Sequence, residues 1–97
     1  MAVILDTTAV SDDELLVLVK DLNDYGEYDL DDRKLKTLIV DAKDFLRIGG
    51  VCELLVNSKS AVTAIAYYVD DMSRREGISD FVIQKTAQLR AVSYQYE

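Results

Sequence analysis

Three stretches of this sequence carry residue types that could do chemistry: an acidic loop, a lone cysteine and a pair of glycines. The loop Asp21 to Asp32, DLNDYGEYDLDD, lies between two helical patterns as a calcium loop does, with Asp21, Asn23, Gly26, Asp29 and Asp32 at loop positions 1, 3, 6, 9 and 12. Two departures weaken that reading. Position 5 is Tyr25, which brings no carboxylate or amide, and position 12 is an aspartate, too short to reach easily as the usual bidentate glutamate. The simpler account, which we adopt, is a solvated turn whose last acids cap the next helix; a calcium-responsive helix-loop-helix module is kept as the alternative.

Cys52 has no histidine anywhere in the chain to activate it, and the neighbouring Glu53 disfavours a thiolate, so it reads as a small core residue. A single cysteine also excludes an internal disulfide. Gly49-Gly50 is followed by neither GK[ST] nor GxGxxG, so these glycines read as a helix stop and not as a phosphate loop. With zero histidines the commonest general base and the commonest transition-metal ligand are missing. No catalytic residue, metal site or cofactor is expected.

The elements around these stretches are helical. Ser11-Asp12-Asp13-Glu14 matches a capping box and starts a helix that Leu15, Leu16, Leu18, Val19 and Leu22 carry to about Asn23. From Asp31 to Gly50, Leu35, Leu38, Ile39, Ala42, Phe45 and Leu46 recur at helical spacing on one face, with Lys34, Lys36, Asp41, Lys43 and Asp44 on the other. This strongest stripe marks the expected centre of the bundle. Val51 to Asn57 fits either one helical turn or a strand-like crossing. Ser58 or Ser60 then caps a helix burying Ala61, Val62, Ile65, Ala66, Val69 and Met72, ended by the mixed charges of Asp70 to Glu76 and by Gly77. Ser79-Asp80 opens a shorter helix with Phe81, Val82, Ile83, Thr86, Ala87 and Leu89. The prediction is an all-α fold, one domain over residues 1–97, a small bundle of about four helices with an extended N-terminal arm (1–10) and an extended C-terminal tail (91–97).

Eighteen acids against eleven bases give a net charge of −7, which opposes a broad surface for nucleic-acid phosphates. Residues 1–48 hold twelve acids and six bases (−6) and residues 49–97 six acids and five bases (−1), so the charge sits in the N-terminal half. No apolar run approaches the roughly 18 residues of a membrane span, and the apolar start lacks the basic region of a secretory signal. The arm, with Val3, Ile4 and Leu5, either folds back on its own bundle or docks on a neighbour.

The succession of capping-box helix, acidic turn, Leu38-Ile39-x-x-Ala42-x-x-Phe45-Leu46 and Gly50-Val51 resembles the head-tail connector proteins of tailed bacteriophages. Asn57-Ser58, Ala61, Ala64-Ile65-Ala66, Tyr68-Val69 and Asp71 are similar to that family's second long helix, and Ser79, Phe81, Gln88 and Leu89 to its C-terminal helix, so the likeness covers about residues 11–90. It implies a structural virion protein, not an enzyme. Such a protein forms a homo-oligomeric ring, often of twelve subunits, beneath the portal, extends the DNA channel and presents a platform to the next head-completion or tail protein. DNA would be passing cargo only, no membrane would be involved, and the location would be the virion neck after assembly in the host cytoplasm. The expected portal and subunit interface comprises Val3, Ile4, Leu5, Arg74, Arg75, Arg90, Tyr94 and Tyr96.

Overall fold

The computed structural model describes residues 5–25 and 31–97. The chain is all-α: α1 (Asp12–Leu22), α2 (Asp32–Ile48), the single turn α3 (Glu53–Val56), α4 (Val62–Ser73) and α5 (Asp80–Val92), with short 3-10 turns at Lys59–Ala61 and Ser93–Gln95. The four longer helices are those expected, and α3 resolves Val51–Asn57 as a helical turn.

Helix starts follow the caps in the sequence. Ser11 Oγ accepts from the Glu14 amide at 3.2 Å and Asp31 Oδ1 from the Lys34 amide at 2.8 Å, with acids in both first turns facing the positive end of the helix dipole. Ser58 Oγ accepts from the Ser60 amide at 3.2 Å and starts the 3-10 turn that leads into α4. Helix stops are less obvious. α1, α2 and α4 all end in the same pair of bonds, the residue after the C-cap donating to the carbonyl of the second-last helical residue and its successor to that of the third-last. In α2 these are Gly50 N to Arg47 O and Val51 N to Leu46 O, both 3.0 Å, with Gly50 at φ 95°. In α1 and α4 the left-handed residue is Asp24 (φ 54°) or Arg75 (φ 57°), so α4 ends at Ser73 and the chain turns away at Arg75, two residues before Gly77.

The hub of the bundle is α4, not α2. α4 packs against α1, α2 and α5, whereas α2 packs mainly on α4. Besides the expected Ala61, Val62, Ile65, Ala66 and Val69, Ala64 and Tyr68 are buried, so α4 is covered on more than one side. Met72 is instead 38% exposed. On α2, Leu35, Ile39, Ala42 and Leu46 are buried as expected, while Leu38 and Phe45 are half-buried at the edge of the stripe, the Phe45 ring lying 5.3 Å from that of Tyr68. Lys43, expected on the outer face, is 9% exposed: it lies four residues after Ile39 and three before Leu46, so its stem lines the stripe while Nζ reaches Asn57 Oδ1 at 3.0 Å.

The C-terminal tail is helical rather than extended. α5 runs to Val92 and the chain continues as a 3-10 turn to Gln95, because Ser93 points inward: its Oγ donates to the Leu89 carbonyl at 2.8 Å and accepts from the Cys52 amide at 3.0 Å. Tyr94 therefore lies within a 3-10 turn and Tyr96 caps it, and neither is on a strand. The described part of the arm, residues 5–10, is extended and folds back on its own bundle.

Candidate functional site

The arm lies along residues 57–60. Val10 N donates to Asn57 O at 3.0 Å, Lys59 N to Thr8 O at 2.9 Å, and Ser60 N and Oγ both donate to Asp6 O, at 3.2 and 2.7 Å; Ala9 and Ser58 form an isolated antiparallel bridge. Leu5 N donates to the Tyr96 hydroxyl at 3.2 Å, so the arm and the C-terminal turn are brought to one place. Of the expected interface residues, Leu5 and Tyr96 thus meet each other, half-buried against the core. Tyr94, in the 3-10 turn after α5, is 72% exposed and follows exposed Arg90 by four residues. Arg74 and Arg75 are elsewhere, at the end of α4: Arg74 pairs with Asp70 at 3.1 Å, and Arg75 serves the helix stop through its backbone. Val3 and Ile4 lie outside the described residues.

Several exposed apolar side chains escaped the sequence reading. Ile48 is 88% exposed, Val40 57% and Val17 56%, and three residues expected on the helix stripes, Leu22 (56%), Ile83 (53%) and Phe81 (41%), are exposed as well. The signal was present for α2: Val40 follows Lys36 by four residues and Ile48 follows Asp44 by four, so both sit among charged neighbours where periodicity demands polar ones. Two open grooves flank the bundle. One, of about 390 Å³, runs between the first turn of α1 and α2 past Asp12, Asp13, Lys36 and Val40; the other, of about 370 Å³, runs beside α5 past Leu5, Lys85, Gln88 and Val92.

A chain of polar contacts ties α1, α2 and α3 together. Asp12 lies 3.6 Å from Lys43 Nζ, Lys43 bonds Asn57, and Asn57 Nδ2 donates to Glu53 Oε1 at 2.9 Å. Arg47 closes the chain with a bidentate grip on Glu53 (2.8 and 2.9 Å) and a 2.8 Å bond to Asp44. The bonds from Arg47 and then Asn57 hold the Glu53 carboxyl down at about 2, while those to Glu53 and then Asp44 raise the Arg47 guanidinium. Because the folded value lies below the ordinary 4.5, the stabilisation is present above that value and is lost as pH falls toward 2. The Glu53 side chain is 64% exposed, so solvent screens much of it and Glu53→Gln should cost only about 0.5–1 kcal/mol at pH 7. Urea titrations of both proteins should show that difference shrinking between pH 4.5 and 2; a difference constant over that range would mean the ion pair contributes nothing.

The acidic loop is put to other uses. Asn23 Nδ2 donates to the Ala66 carbonyl at 2.9 Å, and the Tyr25 hydroxyl donates to Asp70 Oδ1 at 2.9 Å, with burial raising the Tyr25 phenol. Asp32 pairs with Lys20 at 2.6 Å, and that bond lowers its carboxyl. Gly26 and Asp29 lie outside the described residues. Three of the loop's members thus bind its flanks to α4 and α1, and an ammonium occupies the neighbourhood of position 12. Calcium at about millimolar concentration should leave the thermal midpoint unchanged apart from charge screening. A saturable rise that Asp21→Ala abolishes would promote the calcium module over every other reading.

Among the described residues there is no group of three or more Cys, Asp or Glu placed to hold a metal ion, and no helix is long and apolar enough to cross a membrane. Cys52 is half-buried at the start of α3. Comparison of the chain with protein-family models, with curated proteins and with solved structures finds no match in any of the three.

Proposed function

We propose that this chain is a structural assembly protein of the head-tail connector type, acting in the virion neck as a homo-oligomeric ring that docks on the portal, extends the DNA channel and receives the next head-completion or tail protein. The observation that carries the reading is the resemblance of the helical motifs, Leu38-Ile39-x-x-Ala42-x-x-Phe45-Leu46 and Ala61 to Asp71. Its residues are the ones that join α2 to α4, the most extensive helix pair of the bundle, with Phe45 against Tyr68. The exposed apolar side chains on α1, α2 and α5 also suit a protein whose work is to be covered by other chains. Its role is to bind and position, without catalysis.

The test is to mix the purified chain with purified portal and image the particles. A ring of added density on one end of the portal is the expected result, together with no retention on duplex DNA at physiological salt, given the charge of −7. Absence of any portal complex at saturating concentration would defeat the proposal.

A further inference from the structure

The outer surface of the bundle presents two helix faces of opposite character. On α1, Asp13, Val17 and Asp21 follow at i, i+4 and i+8, with Asp24 one turn beyond, all exposed and turned away from buried Leu15 and Val19. Residues 11–24 hold five acids and one lysine, and Asp13, Asp21 and Asp24 enter no ion pair among the described residues. On α5 and the 3-10 turn that continues it, Ile83, Ala87, Arg90 and Tyr94 follow at i, i+4, i+7 and i+11, a quarter turn around from buried Val82, Thr86 and Leu89. Residues 81–96 contain Lys85 and Arg90 and no acid, in a chain of charge −7, with exposed Asp80 and Glu97 at the two ends of the stretch. Arg90 also enters no ion pair among the described residues.

The glycine stop of α2 enlarges the second face. A Cβ on Gly50 would lie 3.0 Å from Arg90 Cδ, so the turn fits under the Arg90 stem and brings the end of α2, with its exposed Ile48, beside this stripe. α1 and α5 each pack on α4, so the two faces look outward from a common hub.

We propose that the α5 face, centred on Ile83, Arg90 and Tyr94, docks the α1 face, Asp13, Val17 and Asp21, of a second copy of this chain. The inference rests on reading the protein as a self-assembling one and names the surfaces that meet. A face paired with its own copy would set Asp13 and Asp21 against the same carboxylates, or Arg90 against Arg90, and like charges at an interface are strongly disfavoured. Crossing the faces puts a guanidinium flanked by an isoleucine and a tyrosine, the residue types that anchor interfaces, opposite unpaired carboxylates flanking a valine. Such a contact is heterologous: each added copy leaves one face of each kind free, so the contact repeats and closes into a ring where the rotation allows.

The test uses the whole chain, labelled with ¹⁵N. Raising its concentration should shift amides of both stripes, and Arg90→Glu or Asp21→Lys alone should weaken association at least about tenfold. Tyr94→Ser, at a largely exposed side chain, provides a second lesion of this face should Arg90→Glu disturb the α2 turn. Arg90→Glu keeps an intact α1 face and Asp21→Lys an intact α5 face, and the two reversed charges also complement each other, so mixing labelled Arg90→Glu with unlabelled Asp21→Lys should restore association that neither variant shows alone, with shifts in both the α1 and the α5 stripe of the labelled protein. No restoration, or concentration-dependent shifts confined to a single stripe or to another surface, would overturn the proposal. Shifts of the α5 stripe on adding portal but not on raising chain concentration would assign that face to the portal and overturn it too. A chain that binds portal while the mixture restores nothing sinks this interface and leaves the connector reading standing; restored contact without portal binding does the reverse.

Discussion

Ile65→Ala should cost about 2–5 kcal/mol, a large part of the roughly 5–15 kcal/mol that holds a small domain together. Ile65 is 1% exposed on α4, the helix that α1, α2 and α5 all pack against, so the cavity is surrounded by elements that cannot all move in to fill it. Phe45→Ala, at the centre of the stripe that periodicity marks as strongest, should cost less, about 1–2 kcal/mol. Its ring is half-buried and loses a tilted partner in Tyr68 rather than a complete enclosure. Urea unfolding of the two variants decides the order. If Phe45→Ala proves the more damaging, or Ile65→Ala costs less than about 1 kcal/mol, the bundle is centred on α2 and the packing described for α4 is wrong.

That order could not be read from periodicity. α2 has a sharp division of apolar and charged residues because one side of it faces water, and a sharp division is what a helical pattern detects. α4 has a blurred one because Ala64, Ala66 and Tyr68 are buried as well as Ile65 and Val69, and a helix covered on several sides loses its contrast. The helix starts were legible because a capping side chain bonds an amide three residues on, a purely local event: Ser11 and Asp31 both do so. The stops were less so, since Asp24 and Arg75 adopt the left-handed conformation usually left to glycine, driven by the two backbone bonds each turn completes. The burial of Lys43 and the bonded role of Tyr25 were not legible for a common reason. A long side chain ending in a polar group takes its place from a partner far along the chain, Asn57 for one and Asp70 for the other, and no local pattern announces that partner.

The same long-range bonding changes what the chain ends do. The sequence alone suggests that residues 1–10 and 91–97 serve assembly and that the helices serve folding, so that removing both ends would spare the fold. The structure joins them to the bundle instead. Val10 is 7% exposed in the core, four amide and hydroxyl donors at residues 10, 59 and 60 find their acceptors across the contact between the arm and residues 57–60, and Ser93 supplies the acceptor for the Cys52 amide. Losing a buried valine costs about 1.5–3 kcal/mol and each broken hydrogen bond about 0.5–1.5 kcal/mol, before Val92 and Tyr96 are counted. The double truncation should therefore lose at least about 3 kcal/mol and lower the thermal midpoint by roughly 12 °C or more in a chain of this size. A midpoint within a few degrees of the intact protein would show that the arm and the terminal turn lie loosely on the surface. Point substitutions then separate folding from assembly where truncation cannot. Tyr94, 72% exposed, takes no part in the terminal junction, so Tyr94→Ser should leave stability within about 0.5 kcal/mol. Val10→Ser places a hydroxyl in the core and should cost about 2 kcal/mol or more. A Tyr94→Ser protein that melts with the intact chain and fails to assemble locates assembly on the outward face of the C-terminal turn, while one that melts early places Tyr94 in the fold.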